Sequence, residues 1–385
     1  MKLLLITDGI TPFVLGGMQK HSANLAKYLT LADVEVTLVH CVAQGNDLPS
    51  DDDINENLFS GNQKLSKIIG LKFPEMGKAP GHYLKESYRY SEMVFEMVKD
   101  DLDTFDFIYA KGFSAWKLLH MKSKGVEMPP IGIKFHGYEM FQKPPSFRAK
   151  IERLFLRKPV KWNTVNADFV FSYGAKITDL IKSLGVRDEK IISIPSGIDN
   201  EWIRQTNLDV NSPVKFVFLG RYERRKGVEE LNAVLEKIIV NNEIEFHFIG
   251  PIPLDKQIKN EKIVYHGVIQ DKTKLTGLLD TGDVLVCPSH SEGMPNVILE
   301  GMARGMAVIA TDVGAVRLLV SENVGVLLKE IDKEELKAAI LKLAIINSSK
   351  LLEMKSNSLE LVSNEFKWER IAEQVIGKIN KVIND

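Results

Sequence analysis

The sequence predicts an α/β protein of two doubly wound parallel sheets facing one another across a deep cleft, with a carboxyl-terminal helix crossing back to the first domain. Three observations predict it. Short apolar runs rich in β-branched and aromatic residues alternate with longer stretches of helical periodicity, the pattern of parallel βαβ units. That alternation comes in two series, separated by a turn-rich segment of weak periodicity. The 385 residues are enough for two domains, each with its own core.

In chain order the first series runs KLLLIT, VEVTLVH, FDFIYA, IGIKF, DFVFSY and KIISIP, with helices such as Met18 to Leu31 and Lys176 to Leu184 between strands. The segment from Asn46 to Lys78 is polar and irregular and reads as loop-rich. PSGIDNEWIRQTNLDVNSP reads as the linker, and the second series follows as VKFVFLG, IEFHFIG, KIVYHG, DVLVCP, AVIAT and VGVLL. The expected boundaries are a first domain over 1–195, a linker over 196–212, a second domain over 213–365 and a terminal helix over 366–385. That last helix carries Trp368, Ile371, Val375, Ile376 and Ile379 at helical spacing and follows another helix with no strand between them.

Composition narrows the function classes. The chain is 44% hydrophobic and 26% charged with a formal net charge of -1, so no basic surplus points to nucleic acid. Cys41 and Cys287 lie far apart in strand-like runs, which argues against a disulfide framework or a thiolate metal site. Asp8 interrupts the apolar start MKLLLITDGI too early for a signal peptide, and no run approaches the roughly 18 apolar residues of a membrane helix. The expectation is a soluble cytoplasmic protein.

Ligands of open α/β sheets bind at the carboxyl ends of strands, so the loops there matter most. After the first strand, Gly16 and Gly17 precede a helix, where consecutive glycines permit close backbone approach and a helix amino terminus favours an anion. A plain tight turn accounts for them equally well. After VKFVFLG, the loop RYERRKG places Arg221 and Lys226 around a turn before the next helix. The Gly-x-Gly-x-x-Gly of a dinucleotide site is absent there, and two cations suit a phosphorylated ligand held by side chains. Arg224 and Arg225 add to the run and Glu223 offsets it, so a solvated basic loop also stands as a reading.

PSHSEGMPNVILEGMARG holds two glutamates eight positions apart, Glu292 in a turn and Glu300 inside an apolar helix. Pro295 and Gly305 bracket a helix of about three turns. Asn296 and Glu300 share one face, about 6 Å apart along the axis. If amides near Gly293 to Asn296 take a diphosphate, Glu300 lies about one sugar ring further on, where a carboxylate receives a ribose diol. Glu292, in the preceding loop, is placed for the hydroxyls of a second sugar. The plainer account of Glu300 is an ion pair with Arg304 one turn on.

With those residues in view, EGMPNVILEGMARGMAVIATDVG resembles the Glu-x7-Glu motif of retaining glycosyltransferases with the GT-B fold, particularly family four (glycosyl transferases group 1). The resemblance runs along most of the chain. GGMQKHSANLAKYL is similar to that family's first glycine loop and helix, KFHGYE to its histidine loop, and IPSGID to its interdomain signature. LGRYERRKGVEEL resembles its diphosphate clamp and FKWERIAEQV its terminal crossover helix. The resemblance implies two Rossmann-like domains, a nucleotide-diphosphate sugar donor and a hydroxyl acceptor, saccharide or lipid-linked, with the anomeric configuration retained.

It also implies roles. Arg221 and Lys226 would neutralise the donor diphosphate as the glycosidic bond breaks. Glu300 would hold the ribose and Glu292 the transferred sugar, with Gly293, Met294, Pro295, Asn296 and Val297 touching sugar and phosphate. His136 would lie across the cleft near the sugar and Gly16 and Gly17 near the phosphates, although His136 also fits a structural role after its strand. The expected transfer is of a hexose or N-acetylhexosamine, UDP-linked donors included, in bacterial cell-surface polysaccharide or glycolipid synthesis. Two positions depart from the family pattern: Arg317 stands where a glutamate is frequent, and Gln19 where an acid is common.

No Asp-x-Asp is placed to hold a metal, and the clamp cations supply the charge, so no metal or other cofactor is expected. Residues 143–162 carry Lys143, Arg148, Lys150, Arg153, Arg157, Lys158 and Lys161 against Glu152, interleaved with Phe147, Leu154, Phe155 and Trp162. Such a helix suits peripheral contact with an anionic membrane, or is an ordinary helix with a solvated basic face. Lys111 follows a strand and faces the acceptor side without an assigned role. A nucleotide-sugar epimerase on the same fold would need its own acid and base carboxylates, and no separate set is visible. A bilobed binding protein would leave the clamp cations without a purpose.

Overall fold

Leu3 and Leu5 pack into one hydrophobic cluster and Leu4 and Ile6 into another, so strand β1 (Lys2–Ile6) is buried on both faces. That is the demand of a parallel sheet covered by helices on each side, and it explains the unbroken apolar run. The computed structural model describes residues 1–77, 81–144 and 147–384, with the side chains of 147–152 outside that description. The readings on Phe147, Arg148, Lys150 and Glu152 therefore lie outside the described side chains.

The first sheet adds β2 (Glu35–Ala43), β3 (Lys67–Phe73), β4 (Phe107–Lys111), β5 (Ile131–Lys134), β6 (Phe169–Ser172) and β7 (Ile191–Ser193). Its seven strands are all parallel, in the order β3-β2-β1-β4-β5-β6-β7. Helices α1 (Gly17–Leu31), α2 (Asp51–Leu58), α3 (His82–Val98), α4 (Trp116–Ser123), α5 (Phe147–Asn166) and α6 (Ala175–Ser183) connect them. The second sheet has six parallel strands, β8 (Val214–Leu219), β9 (Ile244–Ile249), β10 (Ile263–Tyr265), β11 (Val284–Cys287), β12 (Ala307–Thr311) and β13 (Gly325–Leu328), in the order β10-β9-β8-β11-β12-β13. Its helices are α7 (Val228–Ile238), α8 (Lys272–Asp280), α9 (Asn296–Ala303), α10 (Lys333–Ala344) and α11 (Ser348–Glu365).

Each sheet has one point where the winding reverses, between β1 and β4 in the first and between β8 and β11 in the second. There the loops leaving adjacent strands turn to opposite sides and leave a crevice, which is where open sheets bind ligands.

Helix α12 (Trp368–Asn384) belongs to the first half despite its place at the end of the chain. Trp368, Ile371, Ala372, Val375 and Ile379 pack with Leu3, Leu5, Leu25 and Leu29 in one buried cluster. Just before it, Ile198 N donates to Phe366 O (2.7 Å) and Trp368 N to Ile198 O (3.1 Å), so the two inter-domain crossings run side by side.

The loop expected from Asn46 to Lys78 is corrected: it contains α2 and β3. Ser50 caps α2 in a reciprocal box with Asp53, a signal hidden among acidic residues. β3 is the sheet edge, where solvent meets one side, so Lys67 and Lys72 dilute the apolar pattern that marks the inner strands. Helix α9 is also shorter than the three turns expected, with eight residues. Among the described residues no helix is long and apolar enough to cross a membrane.

Candidate active site

At the reversal point of the second sheet, the loop after β8 meets the loop after β11. Residues Arg224–Lys226 form one turn of 3-10 helix that ends at Gly227, with φ 70°. A side chain at Gly227 would strike Pro288 O at 1.9 Å, so glycine alone allows both the left-handed turn and the contact between loops. That contact carries two cations to Glu292. Lys226 Nζ donates to Oε1 (2.7 Å), Arg225 Nη1 to Oε2 (3.1 Å) and Ser289 Oγ to Oε1 (2.9 Å).

Glu292 is 6% exposed. Burial opposes its ionisation, but the Lys226 ammonium and the Arg225 guanidinium outweigh it, and the carboxyl sits below its ordinary range. Arg225 Nη2 also lies 3.3 Å from Glu223 Oε2, so Arg221, Arg225 and Lys226 meet two carboxylates, Glu223 and Glu292, and one positive charge is left over.

Arg221, expected beside Lys226, stands apart: its side chain is 72% exposed and its Nε lies 3.0 Å from Glu223 Oε1. Arg225, which the sequence reading placed in the general basic run, is the arginine that reaches Glu292. Neighbouring side chains splay apart along an extended loop, and only the tight turn lets residues 225 and 226 converge. Spacing along the sequence carries no sign of that turn beyond the glycine after it.

The backbone at Gly293 lies against the other domain. A β-carbon there would fall 2.0 Å from His136 O, and Gln142 Nε2 of the first domain donates to Glu292 O (2.8 Å). His136 follows β5 at the carboxyl edge of the first sheet, so the histidine loop and the Glu292 loop meet across the cleft. Tyr173 Oη lies 2.9 Å from His136 Nδ1. Burial, with Lys111 and Lys134 adding to it, pulls His136 down to about 3, so the ring is neutral at pH 7. Burial also holds the Tyr173 phenol protonated. The neutral ring pairs with that phenol in either tautomer: Nδ1 accepts from it when Nε2 carries the ring proton and donates to it otherwise. A β-carbon at Gly17 would lie 4.0 Å from that Nε2 and 3.7 Å from Asn296 Nδ2, which places the first glycine loop at the same spot. Gln19 Oε1 folds back over Gly16.

Pro295 precedes α9 with no side-chain cap, leaving the first amides of the helix without an internal partner. Met294 is buried, its sulfur 3.1 Å from Ser196 N, and Val297 is half-buried. Glu300, one turn past Asn296, pairs with Lys20 Nζ of α1 at 2.7 Å rather than with Arg304. Arg304 is engaged by Asp280, with contacts of 2.7 and 2.6 Å, and by Trp202 O. The Lys20 ammonium also lies 4.7 Å from the Trp202 ring centre. Lys20 is a partner of Glu300 that sequence reading missed, since a lysine on an amphipathic helix carries no mark of a partner 280 residues away. Arg317, the departure from the family pattern, holds Asp312 together with Lys176 of α6. Among the described residues no three His, Cys, Asp or Glu side chains gather as a metal site.

Two doubly wound parallel halves, with their reversal points brought together across one cleft, define the GT-B class of fold. The chain belongs to the glycosyl transferases group 1: residues 213–345 match the profile described by that name, and residues 15–202 match that of glycosyltransferase family 4. An uncharacterized glycosyltransferase of Methanocaldococcus jannaschii is 26% identical over 93% of this chain and 92% of its own. A Bacillus subtilis glycosyltransferase named for teichuronic acid biosynthesis is 32% identical over 32% of this chain, a match spanning 31% of that protein. In fold, the chain is similar to sucrose-phosphate synthase from Thermosynechococcus elongatus (TM-score 0.77, 19% identity, 100% of this chain and 99% of that one). It is also similar to an E. coli trehalose-6-phosphate structure bound with UDP-2-fluoro glucose (TM-score 0.71, 13% identity, 99% of both chains).

Proposed function

We propose that this glycosyltransferase moves a hexose or N-acetylhexosamine from a nucleotide-diphosphate sugar, UDP-linked donors first among them, to a hydroxyl acceptor with retention at the anomeric carbon. The observation that carries the reading is Glu292, kept ionised in a buried crevice by Lys226 and Arg225 and facing His136 across the cleft. A diphosphate satisfies the surplus positive charge of that crevice, and Arg221, exposed in the same loop, turns from Glu223 to join Lys226 and Arg225. Glu292 then accepts from hydroxyls of the transferred sugar, His136 donates from Nε2 in the tautomer protonated there, and the amides from Gly293 to Val297 line the phosphate side. Glu300 takes the ribose diol once Lys20 releases it. The glycine loop at Gly16 and Gly17 closes over the phosphates.

In the transfer the bond from the anomeric carbon to the phosphate oxygen breaks, and the acceptor oxygen bonds to that carbon on the same face. The acceptor's proton passes to the departing phosphate oxygen, and the nucleoside diphosphate leaves. Lys226 and Arg225 stabilise the charge that grows on that oxygen, the preorganised electrostatics on which such transfers depend. With those cations in place the reading calls for no metal. Crystallised neighbours of the same fold hold UDP with glucose or UDP-2-fluoro glucose, which supports the donor class. A cell-surface polysaccharide or glycolipid product fits the teichuronic acid relative. Exposed Leu154, Phe155, Lys158 and Lys161 on α5 support peripheral contact with the inner face of a membrane.

The test is a thermal-shift screen with UDP, GDP, ADP and their sugar conjugates, with and without EDTA, on the wild type and Lys226→Ala. A ligand that binds the native state raises the melting temperature by mass action. One nucleotide should give a clear rise that ignores EDTA and shrinks in Lys226→Ala. No rise with any nucleotide, or an undiminished one in the variant, would remove the crevice as the donor site.

A further inference from the structure

The reversal point of the first sheet holds a second crevice, a cavity of about 440 Å³ that opens beside His136. That volume is ample for a small-molecule ligand. Its walls are mainly carbon: Val42, Phe73, Tyr90, Phe113, Phe135 and Leu156 face it, with Phe73 tilted against Tyr90 and Phe113 edge-on to Phe135. A saccharide that filled this space would turn hydroxyls toward walls with few hydrogen-bonding groups, and each stranded hydroxyl would weaken binding.

Its charged and imidazole groups are Asp8, Lys111, His136 and Glu139, and Tyr83, Ser87 and Ser114 add hydroxyls. Asp8, just past β1, lines the cavity, and its Oδ1 is buried without a hydrogen-bond partner. Lys111, the last residue of β4, lines it too, with Nζ 2.9 Å from His21 Nδ1. His21 stands between two buried lysines, with Lys134 Nζ 3.4 Å from Nε2. A neutral imidazole accepts at one nitrogen only, so one of the two lysines at most donates to it. Lys134 is turned away from the cavity, over the Tyr173 ring (3.7 Å) and toward Ile194 O. Lys111 is therefore the buried amine whose remaining donors meet a ligand, and Asp8 Oδ1 is a buried acceptor still without a partner. Both stand beside His136, where the donor sugar is read.

We propose that this cavity seats an amphiphilic acceptor, its apolar body against the carbon walls and its hydroxyl end received by Asp8 and Lys111 beside His136. The inference rests on the glycosyl-transfer reading and names its acceptor class. It makes Asp8 and Lys111 positioning residues that decide which hydroxyl meets the donor.

Methyl and octyl β-D-glucopyranoside present the same hydroxyls and differ only in the apolar tail, so their affinities, measured by calorimetry with and without saturating UDP, test the walls. The octyl glycoside should bind at least tenfold more tightly. Ala43→Trp places a bulky group at an exposed position on the cavity lining and should reduce octyl binding at least tenfold, leaving UDP affinity unchanged. Asp8→Ala should weaken both glycosides by a similar factor, again without effect on UDP. Equal affinities for the two glycosides, no saturable binding of either, or octyl binding indifferent to Ala43→Trp would overturn the proposal. A change below twofold in Asp8→Ala would overturn the role of Asp8. Failure of UDP to bind the wild type would count against the donor crevice instead, since the glycoside comparison is also read without it.

Discussion

Glu292→Gln should separate the two duties assigned to Glu292. Without ligand, its carboxylate lies 2.7 Å from Lys226 Nζ and 3.1 Å from Arg225 Nη1. Replacement by an amide keeps shape and removes charge, leaving two cations in a crevice where their side chains are 16% and 27% exposed. At 3 Å and an effective dielectric near 20, each pair is worth roughly 5 kcal/mol of gross attraction, most of it offset by the desolvation of both partners. Breaking a buried pair costs about 3–5 kcal/mol, and partial exposure of the cations puts this case near 3 kcal/mol. For a domain of this size that lowers the melting temperature by about 6–12 °C.

The same charge deletion frees Lys226 for phosphate and leaves Arg225 only its longer contact with Glu223, 3.3 Å. A charge-assisted hydrogen bond contributes about 1.5–3 kcal/mol net, so UDP should bind on the order of tenfold more tightly in Glu292→Gln. Sugar transfer should nevertheless fall by about a hundredfold, because the hydroxyls of the transferred sugar lose their acceptor. Calorimetry with UDP, differential scanning without ligand and a transfer assay read the three effects separately. Unchanged melting together with unchanged or weaker UDP binding would refute the claim that Glu292 holds these cations in competition with phosphate.

Lys20→Ala removes the cation that occupies Glu300. Their pair is partly exposed, 33% and 11%, and worth about 1 kcal/mol, so UDP affinity by calorimetry should rise about fivefold. A fall would mean that Lys20 is itself a phosphate ligand. Asp8→Asn tests the buried carboxyl: burial, only partly offset by backbone hydrogen bonding and the Lys111 charge, raises it from 3.8 to about 6. An acid with a raised folded value loses stability as pH climbs from its ordinary value of 3.8 to the folded one, and the loss is complete above that. The ionised form therefore costs about 3 kcal/mol at pH 8 and almost nothing at pH 4. Urea denaturation should show Asp8→Asn more stable than the wild type at pH 8 by about that amount, with the gap closing as pH falls below 6. A gap independent of pH would place Asp8 in water.

The eight-residue spacing of Glu292 and Glu300 was readable because a helix turns a fixed spacing into a fixed geometry, and Pro295 and Gly305 marked its two ends. Buried strands such as LLLI and VLVC were readable for a similar reason: a strand covered on both faces must be apolar at every position. β3 was not, since an edge strand needs only part of its surface apolar. Of the cations around Glu292, Lys226 was legible from its motif, while Arg225 depended on a turn that its neighbours do not spell out.

By itself, then, the sequence determined two doubly wound halves, their order, and the loops that carry the motif residues, because each follows from periodicity or spacing over a few turns of chain. Tertiary structure alone decided what those residues touch. It set Lys20 rather than Arg304 against Glu300, turned Arg221 outward and Arg225 inward, and brought Asp8 and Lys111 to the lining of one apolar cavity, with His21 behind Lys111. Such pairings join residues tens to hundreds of positions apart, and their energies depend on burial and approach that arise only once both sheets have closed on the shared cleft.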